Sequence, residues 1–316
     1  MADLSKRTVT VVLALLAVYF IWGSTYLALR FGLEGLPPFL LNGIRFVIAG
    51  SVLYAVLRLR GVAPPTGRQW WNAARIGALM LVGGVGLVTI AEDLGVGSGV
   101  AATAVAVIPV WAALAGGLFG NWPRRLEWIG LAVGFAGVVV LAQEGDFSST
   151  ALGTLLVIIA PMFWAFGSVW GSRLDQPQPA MAAAAQFVTG GIALLALAPL
   201  RGERLEAMPN TTSLLALAYL IVFGSIIAYT AYIYLLKNTR PAMATSYAYV
   251  NPAVAVVLGI TLGAEVVTGP VFLAMPLILA GVALVTLAQR RKPTPMPAVA
   301  PHDAPPDDYH PLVEAA

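Results

Sequence analysis

The side chains of this 316-residue chain that could hold a ligand are embedded in its most apolar stretches. "TSYAYVNPAVAVVLG" (245–259) opens with Thr245, Ser246, Tyr247, Tyr249 and Asn251, crosses Pro252 and then turns apolar. On a helix, Thr245, Tyr249 and Pro252 fall at i, i+4 and i+7, one face, with Tyr247 and Asn251 forming a second polar row beside it. Tyr19, Trp22 and Tyr26 recur at i, i+3 and i+7 with Thr25 adjacent, Trp164 and Ser168 share a face, and so do Ser225, Tyr229 and Tyr232. Rings with neutral hydrogen-bonding groups suit a ligand that has an apolar body, or a cation resting on a π-face; they do not suit a sugar phosphate or a dicarboxylate. The competing reading of each residue is structural: hydroxyls bonded back to their own helix, and Trp and Tyr in an interfacial belt, as expected for Trp70, Trp71, Trp122 and Trp128.

Other chemistries are excluded by residue type. There is no cysteine, and both histidines, His302 and His310, lie in the last fifteen residues, so thiolate nucleophiles, imidazole relays and His- or Cys-ligated metals inside the apolar stretches are ruled out. With no paired Asp and no G-x-S-x-G turn in the span interiors either, the chain reads as a non-enzyme with no cofactor and no metal. Two charges stand out. Arg45 lies seven residues past Pro38, about 10 Å into a helix, and Glu92 ends another helix on a face shared with Thr89 and Asp93. An Arg45–Glu92 pair would be either a structural ion pair or a titrating site at which Glu92 takes up and releases protons. Pro252 withholds an N–H from the carbonyl of Ala248, and Pro109 does the same to Val105, with Thr103 a turn and a half before it, so both stretches are expected to bend.

The elements that position these residues follow from composition. With 59% hydrophobic residues, 10% charged residues and a mean hydropathy of +0.83, the chain is an integral membrane protein. Lipid cannot satisfy backbone groups, so long apolar runs without strand alternation are expected to be helices. Ten stretches can cross roughly 30 Å of hydrocarbon: 9–29, 38–57, 70–90, 98–119, 126–143, 151–171, 180–199, 213–235, 242–262 and 269–289. Residues 1–8 form an N-terminal segment, and 290–316, rich in Pro and acidic residues, are expected to be a disordered tail. With the N-terminus in the cytoplasm, Lys6, Arg7, Arg58, Arg60, Arg68, Arg124, Arg125, Arg173, Lys237, Arg240, Arg290, Arg291 and Lys292 lie inside. Only Arg30, Arg201 and Arg204 lie outside. That bias places both termini in the cytoplasm and explains the net charge of +3 by topology, with no need of nucleic acid.

The two halves repeat. Pro252 follows Pro109 by 143 residues, and at the same offset Ala244 follows Ala101, Gly259 follows Gly116 and Gly263 follows Gly120. Five spans per half give the second copy the opposite polarity, so the expected architecture is all-α, ten transmembrane helices as two inverted repeats, residues 9–143 and 151–289. "GLAVGFAG" supplies Gly130, Gly134 and Gly137, a small-residue face for close packing or for a homodimer as against a monomer.

"FIWGSTYLALRFG", "PPFLLNGIRFVIAG", "WAFGSVWGSR" and "PAMATSYAYVNPAVAVVLG" resemble the EamA family of the drug/metabolite transporter superfamily over residues 8 to 290. The resemblance implies a multi-pass inner-membrane exporter of small metabolites or drugs, including amino-acid-like and nucleobase-like compounds. It implies a central cavity lined by helices 1, 3, 4, 6, 8 and 9, with helices 5 and 10 peripheral. A channel or receptor on the same bundle is the alternative.

Overall fold

The computed structural model describes residues 2–120, 122–141, 151–238, 247–266 and 269–288; Thr245 and the tail at 290–316 lie outside them. Within these residues the chain is all-helical. The helices are α1 (Thr8–Leu33), α2 (Pro38–Leu59), α3 (Gly67–Asp93), α4 (Ser98–Leu118), α5 (Arg125–Leu141), α6 (Ala151–Gly171), α7 (Pro179–Arg201), α8 (Thr211–Tyr232, continued by Ala228–Asn238), α9 (Tyr247–Leu262) and α10 (Gly269–Ala288). Seven of them, α1 to α4 and α6 to α8, are long and apolar enough to cross a membrane. Local chemistry sets their starts. Pro38 and Pro179 occupy first-turn positions, where no N–H is needed, Thr66 and Gln69 form a capping box on α3, and Asn210 caps α8 by accepting from the Ser213 N–H at 2.7 Å.

The strongest packing joins α2 to α7 and α5 to α10. Both pairs run antiparallel: Gly43 faces Leu195 while Gly50 faces Phe187, and Gly134 faces Gly281 while Gly137 faces Ile278 and Ala274. A Cβ on Gly281 would sit 2.5 Å from Gly134 N and 2.6 Å from Gly130 O, so backbone meets backbone there. The glycine face of α5 is therefore used inside the chain, which answers the choice between packing and dimerisation for that surface. Other contacts come in matched sets: α3 packs on α6 as α8 packs on α1, and α4 packs on α6 as α9 packs on α1.

Three helices contain wide π turns that no proline announces: Val18–Trp22 in α1, Ala78–Gly86 in α3 and Leu220–Ile227 in α8. The α3 and α8 segments occupy corresponding places in the two halves, since Leu79 plus the repeat offset is Val222. The prolines act unequally. Pro109 divides α4 into Ser98–Val105 and Ile108–Leu118, whereas α9 remains helical through Pro252. Large side chains such as Leu13, Phe20, Ile48, Val52 and Ile129 are exposed on the outer faces of the bundle, where acyl chains would meet them.

Candidate substrate cavity

A cavity of about 150 Å³ lies at the centre of the bundle. Trp22, Thr25, Tyr26 and Leu29 line it from α1, Arg45 from α2, and Gly84, Val85 and Val88 from α3. Val105 and Ile108 of α4, Ala160, Pro161 and Trp164 of α6, and Tyr247 and Asn251 of α9 complete the wall. Its size is about that of an apolar cavity which holds one benzene ring.

Each wall residue is held by identifiable contacts. The Trp22 indole N–H donates to the Gly224 carbonyl at 3.1 Å, and its ring meets Tyr232 at 5.2 Å and Tyr247 at 4.9 Å between centroids. Tyr232 and Tyr247 meet edge to face at 5.7 Å, closing a three-ring cluster at one end of the cavity. The Asn251 amide lies against the carbonyls of Tyr19 and Tyr247, and the orientation those acceptors demand turns its nitrogen toward them, to donate at 3.1 and 3.2 Å. It thus ties α9 to the π segment of α1, where a widened turn presents a carbonyl to a neighbour. Thr25 donates back to the Trp22 carbonyl at 2.6 Å, which leaves its oxygen able to accept from a ligand.

Of the residues expected from spacing, Trp22, Thr25, Tyr26, Trp164 and Asn251 are brought together here, and Tyr232 stands directly behind Trp22. Of the others, those whose side chains are described bond or pack elsewhere. Thr89 accepts from the Asn42 amide at 2.7 Å and donates to the Val85 carbonyl, wholly buried. Thr103 donates to the Gly99 carbonyl at 2.8 Å. Ser168 is exposed and bonds back to Trp164, and Tyr229 packs edge to face on Phe187. Tyr19 contributes its carbonyl and is not among the residues lining the cavity. Thr245 lies outside the described residues, and of Tyr249 and Pro109 only the backbone is described.

The expected Arg45–Glu92 ion pair is not formed. Among the described residues the ion pairs are Arg30–Glu265 and Arg201–Glu203. Arg45 turns instead toward α8, its Nε donating to Ser225 Oγ at 2.9 Å, and its guanidinium stacks over Phe46 at 4.8 Å. Glu92 is 6% exposed, and neither carboxylate oxygen has a hydrogen-bond partner among the described residues. A second correction concerns the lining. Arg45 brings α2 to the wall, while α8 stands behind it, because Gly224 has no side chain to offer and its carbonyl is taken by Trp22.

Sequence reasoning missed the acids that seal one end of the bundle. Glu265, just past α9, accepts from the first N–H groups of α4, Ser98 at 2.9 Å and Gly99 at 3.2 Å, and from Arg30 of α1 at 2.6 Å. Burial alone would raise its carboxyl, but these bonds hold it below the ordinary carboxylate range. Ala264, with φ of +50°, makes the left-handed turn that aims Glu265 back at α4. Glu203, past α7, likewise accepts from Phe39 and Leu40 at the start of α2, at 2.9 and 3.0 Å. Burial nevertheless raises it. Both carboxylates meet helix N-termini more than 160 residues away in sequence, a relation no local pattern announces.

The wall assignment makes a direct comparison of tryptophans. Trp164→Ala should weaken binding of an aromatic ligand by about 1–3 kcal/mol, the scale of one buried aromatic face, whereas Trp128, 48% exposed on α5, should be replaceable without loss. Equal losses in calorimetric titrations of the two purified variants would place the site elsewhere.

The sequence profile of the EamA-like transporter family matches this chain twice, over residues 9–143 and 151–287. The uncharacterized inner membrane transporter YedA of Escherichia coli K12 is 46% identical over 288 residues, covering 91% of this chain and 94% of its own. An uncharacterized transporter of Archaeoglobus fulgidus is 31% identical over 76% of this chain and 84% of its own. A crystal structure superposes with a TM-score of 0.60 at 23% identity, over 90% of this chain and 99% of that one, a likeness of fold. With both halves matched by one profile and a ring-lined cavity between them, the chain belongs to the EamA-like transporter family.

Proposed function

We propose that this protein is an alternating-access carrier of the inner membrane that exports small metabolites or drugs through the central cavity. Ten spans would form two inverted five-helix repeats, with both termini in the cytoplasm and the Arg30–Glu265 end outside. The observation that carries this reading is the cavity's position between the halves: α1 to α4 supply one wall, α6 and α9 the other. Inversion is supported by α2 meeting α7, and α5 meeting α10, antiparallel, and by the matched π segments of α3 and α8. Glu203 and Glu265 would tie the outer ends of different helices together while the cavity faces the cytoplasm. Glu92 suits a coupling role better than a structural one, since an isolated buried carboxylate is costly when charged and can shed that cost by carrying a proton. The Lys and Arg bias supports the orientation. Reporters fused to each end should both be active only in the cytoplasm. Either end found outside would remove the topology and the inverted repeat with it.

A further inference from the structure

Arg45 is a cation without a counter-ion in the wall of an otherwise neutral cavity. It is 7% exposed, and among the described residues no carboxylate pairs with it. Its Nε is used by Ser225 and its plane by Phe46, so the arrangement fixes where the guanidinium sits without neutralising it. The two terminal nitrogens of the guanidinium have no hydrogen bond among the described residues, and Arg45 lines the cavity. Gly224 keeps this position open, for a Cβ there would fall 3.2 Å from Arg45 Nη2. A guanidinium stays charged and carries a planar fork that fits a carboxylate in two parallel hydrogen bonds. A charge held out of water without a partner is costly, and a ligand that brings the missing anion recovers that cost on binding.

Resting on the reading of this cavity as the transport site, we propose that its substrate is a small organic anion, a carboxylate on a single-ring or similarly sized apolar body. The carboxylate lies against Arg45, and the body lies among Trp22, Tyr26, Trp164 and Tyr247. The cavity volume of about 150 Å³ accommodates a body of that size. Thr25 of α1 and Asn251 of α9 also line the cavity and can bond further polar groups. A cationic drug, which the aromatic lining by itself would accommodate, is rejected by like charge at Arg45.

Three probes of nearly equal size separate charge from shape: benzoate, benzylamine and benzyl alcohol, titrated into the purified full-length protein at fixed ionic strength and pH 7 with ligand-detected NMR. Benzoate should bind at least ten-fold more tightly than benzylamine, with benzyl alcohol between them. Arg45→Gln should abolish that order, and Arg45→Lys, which keeps the charge and loses the fork, should retain part of it. Trp22→Ala should weaken all three. If benzylamine binds as well as benzoate, if the order survives Arg45→Gln, or if none of the probes binds, the anion proposal fails. In the first two cases an equal loss of all binding in Trp22→Ala would leave the cavity standing as the site, and unchanged binding in that variant would remove the cavity itself. Size-exclusion profiles matching wild type qualify each variant.

Discussion

Glu265→Ala should loosen the Arg30 end of the bundle. The substitution strips two α4 N–H groups and one guanidinium of their common acceptor, and hydrogen bonds to a charged group are each worth about 1.5–3 kcal/mol. Part of this is recovered by water reaching the freed groups, so the balance between closed and open forms of this end should shift by about 1–3 kcal/mol. Glu265→Gln, which keeps an acceptor but not the charge, should fall between. Spin labels at Asp93 and Val266, both exposed at this end, would report the change as a longer or broader distance distribution. An unchanged distribution in Glu265→Ala would mean that the seam is held by other contacts. The same contact has a pH sense. The bonds hold the folded carboxyl below its ordinary range, so its contribution is fully present above that range and is lost as pH falls through the lowered value. Mild acid would leave the seam closed, and strong acid would release it.

Gly281→Leu should unfold or split the α5–α10 pair. A Cβ alone would fall 2.5 Å from backbone nitrogen and 2.6 Å from backbone oxygen of α5, atoms that cannot swing aside as a side chain could. Overpacking typically costs about 1–3 kcal/mol where neighbours can yield, and here they are main chain, so the loss should reach or exceed that range. Ala280 is the control, because it is exposed on the same helix and its replacement by Leu adds bulk toward lipid. Thermal unfolding in detergent should show a large fall in midpoint for Gly281→Leu and little change for Ala280→Leu. Equal midpoints would show that α10 does not pack on α5 through this face. Helix association in a bilayer relies on such close approach, since lipid tails are as apolar as Leu.

These residues show which kinds of information were local in the sequence. Span existence was, because an apolar run of twenty residues needs no partner to be recognised. The repeat was too, through matched prolines and glycines such as Pro109 with Pro252 and Gly116 with Gly259. Among the ring-bearing faces, the α1 pattern of Trp22 and Tyr26 meets the cavity, while Tyr229 at the same kind of spacing packs on Phe187. Periodicity places a side chain on a face and does not say which neighbour that face meets. Thr89 and Thr103 illustrate the same limit: both share a face with plausible ligand positions, and both bond inside the protein. The π turns carry no proline or composition signal, yet they are what opens the Tyr19 carbonyl to Asn251. Arg45 was singled out by its rarity but given the wrong partner, because helix ends at one level need not place their side chains in contact. The capping roles of Glu203 and Glu265 were not legible, since their partners are set by the tertiary fold.

The central claim, that one cavity is reached from each side of the membrane in turn, can be tested without background because the chain has no cysteine. Val105→Cys places a single thiol on the cavity wall beside the break in α4. In sealed proteoliposomes of fixed orientation, a membrane-impermeant thiol reagent should modify it when added outside and, in separate vesicles, when trapped within, with no ion conductance across the bilayer. Modification from one face only, or modification accompanied by steady conductance, would contradict a carrier that opens to each side in alternation.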